Sequence, residues 1–264
     1  MIKLCKTCGT SYDERSTPIL RCKICNDERQ YVPVSGQAWV AFEDLISHHT
    51  NAWQQHDNTL FSLKIVPRFA INQRAFLLRT PQGNILWDCI ANLDAATMAL
   101  IAALGGIDAI AISHPHYYTT MQDWAAAFDA PVYLHASDSE WIVRDSPAIR
   151  LWQGDAFELW PSVQLLRLGG HFAGGTVLHW REGDGTLLVG DILQVTPGAD
   201  AVSFMWSYPN MLPLPASVIE NIMQRLAGVR FARLYGAFAG QNMLNNAHER
   251  VQRSAQKYLA CLRG

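Results

Sequence analysis

Two Cys-x-x-Cys pairs, Cys5 with Cys8 and Cys22 with Cys25, separated by a spacer of thirteen residues, constrain the fold of this chain more than any other feature. Residues 1–32 around them are polar and lack regular apolar periodicity, so they build no core without a cross-link or a metal. Zinc takes four ligands in a tetrahedron, and a Cys-x-x-Cys turn brings two thiolates to one ion at about 2.3 Å. Gly9 follows the first pair, as a tight knuckle requires. With all four positions taken by cysteine no place remains for water, which predicts a structural zinc in a small zinc-ribbon or rubredoxin-like domain. Cys89 and Cys261 stand alone in apolar settings, so cysteine usage here is that of a metal site and not of a disulfide framework.

Residues 33–58 read as a linker in which Trp39, Phe42, Leu45 and Ile46 recur at helical spacing. A main domain is expected over 59–264. It begins with β-rich runs, TLFSLKIV, RAFLLRT and NILWDCI, the last two joined by a turn at Pro81-Gln82-Gly83. Asn92 or Asp94 can cap a helix through ATMALIAALG, which Gly105 and Gly106 end. Strand IDAIAIS, helix TMQDWAAAF, strand PVYLH and a short helix near SDSEWIV continue the alternation. Then β returns with VQLLRLG, GTVLHW and TLLVGDIL, and helices near 216–227 and 242–262 flank FARLYGA. The sum is two sheets covered by helices, an α/β (α+β) class. At 49% hydrophobic residues the chain can fill such a core, and its formal charge of −2 argues against a general nucleic-acid coat. Near the cysteines, Lys3, Lys6, Arg15, Arg21, Lys23 and Arg29 are offset by Asp13, Glu14, Asp27 and Glu28, so nucleic acid is not indicated there either. A protein partner or self-association through the ribbon stays open. No apolar run approaches a membrane span and Met1 to Gly9 lacks a signal-peptide core, from which a cytoplasmic location is expected.

Histidines fall where strands end. Ser113-His114-Pro115-His116 terminates IDAIAIS, Gly169-Gly170-His171 sits in a glycine-rich turn, and Gly190-Asp191 closes TLLVG. Two imidazoles at i and i+2 can face one ion, and strand termini are where α/β proteins present reactive groups. His135 is expected as a core histidine bonded to backbone; His48, His49 and His56 as solvated. Phe204, Met205, Trp206 and Tyr208 either wall a substrate pocket or pack on the core.

At these residues the chain resembles the metallo-β-lactamase superfamily, whose pattern is an Asp after an early strand, His-x-His-x-Asp-His, Gly-His, Gly-Asp and a late Gly-His. Trp87-Asp88, His114 with His116, Gly170-His171 and Gly190-Asp191 match in order. The resemblance implies an αββα sandwich over about the last two hundred residues, with the metal at the ends of these strands. Tyr118-Thr119 stands where the family has Asp-His, and Gly236-Ala237-Phe238 where it has its last histidine. The three-histidine site is complete and the second keeps only Asp191, so one ion, zinc or iron, is expected on His114, His116, His171 and Asp191. Such an ion lowers the pKa of a bound water toward about 7. The function this implies is hydrolysis of an ester, thioester, lactone or amide-type bond by metal-bound hydroxide. Asp191 would ligate or take the water's proton. Tyr118 would stabilise an oxyanion or merely pack, and Asp88 would brace the ligands. A mononuclear iron dioxygenase acting on sulfur, built on His114, His171 and Asp191, is the second expectation. A decayed metal-binding module that recruits a partner is the third.

Overall fold

The computed structural model describes residues 1–14 and 18–263, which leaves Arg15 outside. The chain divides into two compact units, Met1–Leu134 with Ser139–Leu151, and His135–Asp138 with Trp152–Gly264.

In the first unit, Ile2–Cys5 pairs with Ser11–Asp13 and with Trp39–Ala41 in a three-stranded antiparallel sheet. The helix expected in the linker is Phe42–His48, which buries Leu45. The rest of the linker adds an unanticipated strand, Thr50–Gln55, with little alternation of buried positions to betray it. That strand is one edge of a seven-stranded sheet. Its order continues Leu60–Val66, Arg74–Thr80, Gly83–Trp87, Ala109–Ala111, Val132–His135 and Ile149–Trp152. The turn before Gly83 closes through the Thr80 hydroxyl, which donates to the Gly83 carbonyl at 2.9 Å. Gly83–Trp87, Ala109–Ala111 and Val132–His135 run parallel, which demands crossovers. The helices Ala95–Ala103 and Met121–Phe128 supply them. Asp94 caps the first by accepting the Thr97 N–H at 2.7 Å. Asp88 and His114 therefore follow the carboxyl ends of neighbouring parallel strands.

In the second unit a six-stranded sheet runs Ala156–Trp160, Val163–Arg167, Thr176–Trp180, Thr186–Gly190, Arg233–Gly236 and Asn242–Met243. Its one parallel pair, Thr186–Gly190 with Arg233–Gly236, is connected through the helix Ala216–Leu226. That helix buries Ile219, Ile222 and Leu226, and Ala247–Arg263 buries Ala247, Val251, Ser254 and Ala255, one apolar stripe each. All but Ser254 share a core with Leu187, Val189, Phe231 and Leu234, and the Ser254 hydroxyl accepts the Val202 N–H at 3.0 Å. Full burial of a residue such as Ile219 contributes roughly 2 kcal/mol. The last helix starts at Ala247 rather than near 242, because Asn242 and Met243 instead pair with Tyr235 and Leu234.

Candidate metal centre

Each cysteine pair sits on the same backbone turn. The Gly9 N–H donates to the Cys5 carbonyl at 2.8 Å, and the Asn26 N–H to the Cys22 carbonyl at 3.0 Å. Gly9 adopts φ +82°, a conformation that disfavours any side chain. The turns bring Cys5 Sγ to 3.5 Å from Cys25 Sγ, and Cys8 Sγ to 3.5 Å from Cys22 Sγ. A disulfide bond is about 2.05 Å long. Thiolates about 2.3 Å from a tetrahedral centre stand about 3.8 Å apart, so the spacing suits a shared ion. Gln37 Nε2 donates to Cys5 Sγ at 3.0 Å, and its Oε1 accepts the Cys22 N–H at 3.2 Å. The Tyr12 hydroxyl donates to Cys22 Sγ at 3.4 Å. Hydrogen bonds from Cys22, Cys25 and Cys8 hold the Cys5 thiol far below the usual thiol range, whereas burial pushes Cys8 up. Gln37 and Tyr12 carry no sequence signal as sulfur partners; only the folded hairpin brings them there. The cluster is consistent with a zinc knuckle.

Around the histidines, the Asp88 backbone sits at φ +63° and its N–H donates to the Ala111 carbonyl at 2.8 Å. Its Oδ1 accepts the Ser113 N–H at 2.7 Å, so this carboxylate fixes the residue before the first histidine. Ser113 Oγ lies 2.9 Å from His114 Nδ1, which occupies that nitrogen and leaves Nε2 as the one that could meet an ion. Pro115–Tyr117 form a 3₁₀ turn, closed by the Tyr117 N–H donating to the His114 carbonyl at 3.0 Å. The turn sets the His114 and His116 rings 5.1 Å apart.

His171 follows Gly170, at φ +84°, where a Cβ would stand 2.9 Å from Leu214 Cδ1. His171 Nδ1 lies 2.7 Å from the Trp206 carbonyl, which only accepts, so Nδ1 carries a hydrogen and Nε2 is the nitrogen left to meet an ion. The Tyr208 ring stands edge-on to His171 at 5.5 Å, and its hydroxyl donates to the Asp191 carbonyl oxygen at 2.6 Å. Burial, with the Asp191 carboxylate beside it, pushes the Tyr208 phenol well above its usual value, so it stays a donor. Phe204 is core and the Trp206 side chain packs against it, while the Trp206 carbonyl meets His171 and Tyr208 meets His171 and Asp191; periodicity alone does not separate them.

His114, His116, His171 and Asp191 are buried, and each offers one ligand atom; these atoms lie within 4.8 Å of one another. Three imidazoles and a carboxylate are a donor set that suits zinc or iron. Among the described residues this group and the four cysteines are the two that can hold an ion. Tyr118 is buried at the end of the 3₁₀ turn. Thr119 follows it at φ +21°, and Phe238 is partly buried with its N–H donating to Gln241 Oε1 at 3.3 Å. His135 is a core residue whose Nε2 lies 3.0 Å from the Gly154 carbonyl. His48 is exposed, but His56 is half-buried against Ser62 Oγ at 2.8 Å, with its pKa lowered to about 4 by burial and by Arg74.

The metallo-beta-lactamase superfamily model matches residues 69–224. The chain is 46% identical to the uncharacterized protein YmaE of Bacillus subtilis strain 168, over 98% of this chain and 96% of that one. Among solved structures, VMB-1 covers 80% of this chain and 97% of its own, with a TM-score of 0.60 and 10% identity. DIM-1 metallo-beta-lactamase covers 78% and 97%, at 0.58 and 11%. TTHA1623 in a di-iron-bound form covers 70% and 94%, at 0.53 and 21%. At these identities the structural likeness shows the fold alone. No helix among the described residues is long and apolar enough to cross a membrane.

Proposed function

The chain belongs to the metallo-β-lactamase superfamily, and from its buried His/Asp group we infer that it is a metal-dependent hydrolase with a single ion at that site, acting on an ester, thioester, lactone or amide-type bond. The convergence of three imidazoles and one carboxylate within 4.8 Å carries this reading. A divalent ion held on the three imidazoles would leave a fourth position for water, lower the pKa of that water toward about 7 and polarise a carbonyl. His114 and His171 present Nε2 because Ser113 and the Trp206 carbonyl engage their Nδ1 atoms. Asp191, its backbone held by Tyr208, orients the attacking water and takes its proton. Tyr118 donates its hydroxyl to the oxyanion, in the position where the superfamily's Asp would help hold a second ion. Zinc is the proposed ion at both groups, structural at the cysteines. Iron is the alternative at the histidines, favoured by the di-iron form of TTHA1623, and would go with oxidation of a sulfur substrate.

The test is turnover by metal-replete protein on a panel of activated esters, thioesters and lactones, with oxygen uptake on a persulfide run beside it. Asp191→Asn keeps the shape of the side chain and removes its charge, so hydrolysis should fall by roughly a hundredfold or more. Wild-type turnover no greater than that of Asp191→Asn on every substrate would end the hydrolase reading. Oxygen uptake in its place would support the iron enzyme.

A further inference from the structure

We propose that Ser11, carried by the cysteine hairpin, is a positioning residue for the His114–His116 ligand turn, so that the four-cysteine site sets the metal affinity of the His/Asp site. This rests on the reading of that second site as a metal centre. Thr119, three residues beyond His116, is a buried non-glycine residue at φ +21°, a conformation that threonine adopts only when its surroundings impose it. What imposes it here is the hairpin. The Ser11 N–H donates to the Thr119 carbonyl at 3.3 Å, and the Ser11 hydroxyl donates a second hydrogen bond to the same oxygen.

Ser11 in turn is fixed from both sides. On the hairpin it pairs with Leu4, and the neighbouring Cys5 N–H donates to the Thr10 carbonyl at 3.0 Å while Thr10 Oγ1 lies 3.1 Å from Cys8 Sγ. The thiols thus hold the strand that holds Ser11. On the body, Arg144 Nη1 donates to Ser11 Oγ at 2.9 Å and forms an ion pair with Asp123 at 2.7 Å, on the helix that begins two residues after Thr119. Arg144 leaves the Ser11 hydroxyl hydrogen no role except to point at Thr119. The same helix start is held from below, where the Thr120 hydroxyl donates to the Ile90 carbonyl at 3.1 Å. His116 and Thr119 are therefore separated by two residues, both in or beside a 3₁₀ turn, with the far end clamped by a strand whose geometry depends on the cysteine site. If the hairpin loosens, the buried Thr119 carbonyl loses its donors and the turn relaxes from φ +21°, which moves His116.

The full-length chain loaded with zinc tests this through two readouts, zinc affinity of the His/Asp site by competition with a chromogenic chelator, and hydrogen exchange at the amides of residues 114–121. Ser11→Ala should keep the cysteine-bound ion, raise the dissociation constant at the His/Asp site about tenfold, equivalent to about 1.4 kcal/mol, and speed exchange over 116–121. Protection in the strand Thr186–Gly190 should stay as in the wild type, which a general loss of stability would not allow. Cys22→Ser should reproduce the same local exchange through loss of the cysteine ion. Unchanged exchange over 116–121 in both variants overturns the proposal. If wild-type protein binds zinc only at its cysteines, the metal reading of the His/Asp site fails, and faster exchange in the two variants still establishes the clamp.

Discussion

Replacing Asp138 with alanine tests how rigidly the His171 turn is built. Asp138 is buried at 2% exposure, and its Oδ1 accepts the Gly174 N–H at 2.7 Å, three residues past His171. The contact is tight: a Cβ on Gly174 would stand 2.7 Å from Asp138 Oδ2. A hydrogen bond to a charged acceptor contributes about 1.5–3 kcal/mol, and Asp138→Ala leaves the buried Gly174 N–H without this acceptor. An effect of about 2 kcal/mol on a chain this size lowers the thermal midpoint by roughly 4–8 °C. Asp138→Asn keeps an amide oxygen in place and should lose roughly half as much. Because the same turn orients His171, chelator competition on Asp138→Ala should show weaker binding at the His/Asp site, with the cysteine-bound ion retained. A midpoint within about 1 °C of the wild type, with metal binding unchanged, would refute the idea that this carboxylate holds the turn.

Other outcomes follow from the same geometry. Tyr118→Phe should slow hydrolysis about tenfold to a thousandfold, with the metal retained, if its hydroxyl meets the oxyanion, and a neutral effect in a kinetic comparison would reassign it to packing. Cys22→Ser should release one ion per chain and expose the first thirty residues to protease while the sheets stay folded; full zinc content in that variant would remove the structural-zinc reading. His56, with its folded pKa lowered to about 4 against 6.5 in the unfolded chain, stays neutral in the native state. Its contribution is complete above about pH 6.5 and is lost as the pH falls toward 4, so His56→Gln should flatten the stability profile in that window when urea midpoints are compared. Identical acid limbs in the two proteins would assign the acid loss to other groups.

Much of this could be read before the fold was seen, for local reasons. Cys5-x-x-Cys8 and Cys22-x-x-Cys25 announce themselves because the chelating turn is made of consecutive residues. The runs at 74–80 and 83–87 read as strands because β-branched and aliphatic residues crowd between turn formers. His114 and Asp191 stand out because each follows an apolar strand. What stayed hidden depends on distance in sequence. Thr50–Gln55, TNAWQQ, becomes a strand only because Leu60–Val66 offers it an edge. Ser11 and Thr119 are 108 residues apart, and nothing at either position advertises the other. Trp206 matters through its carbonyl oxygen, which any residue would have supplied. Asp138 looks like one more polar residue in a short helix until the glycine turn closes on it.

Metal analysis of protein purified without added metal, repeated on Cys22→Ser and His171→Ala, tests the central claim most directly. Two ions per wild-type chain and one in each variant are expected, with hydrolysis abolished only in His171→Ala, because that substitution removes one of the three imidazoles proposed to hold the ion. Three ions per wild-type chain, or a His171→Ala protein that keeps both ions, would contradict a single-ion centre on His114, His116, His171 and Asp191.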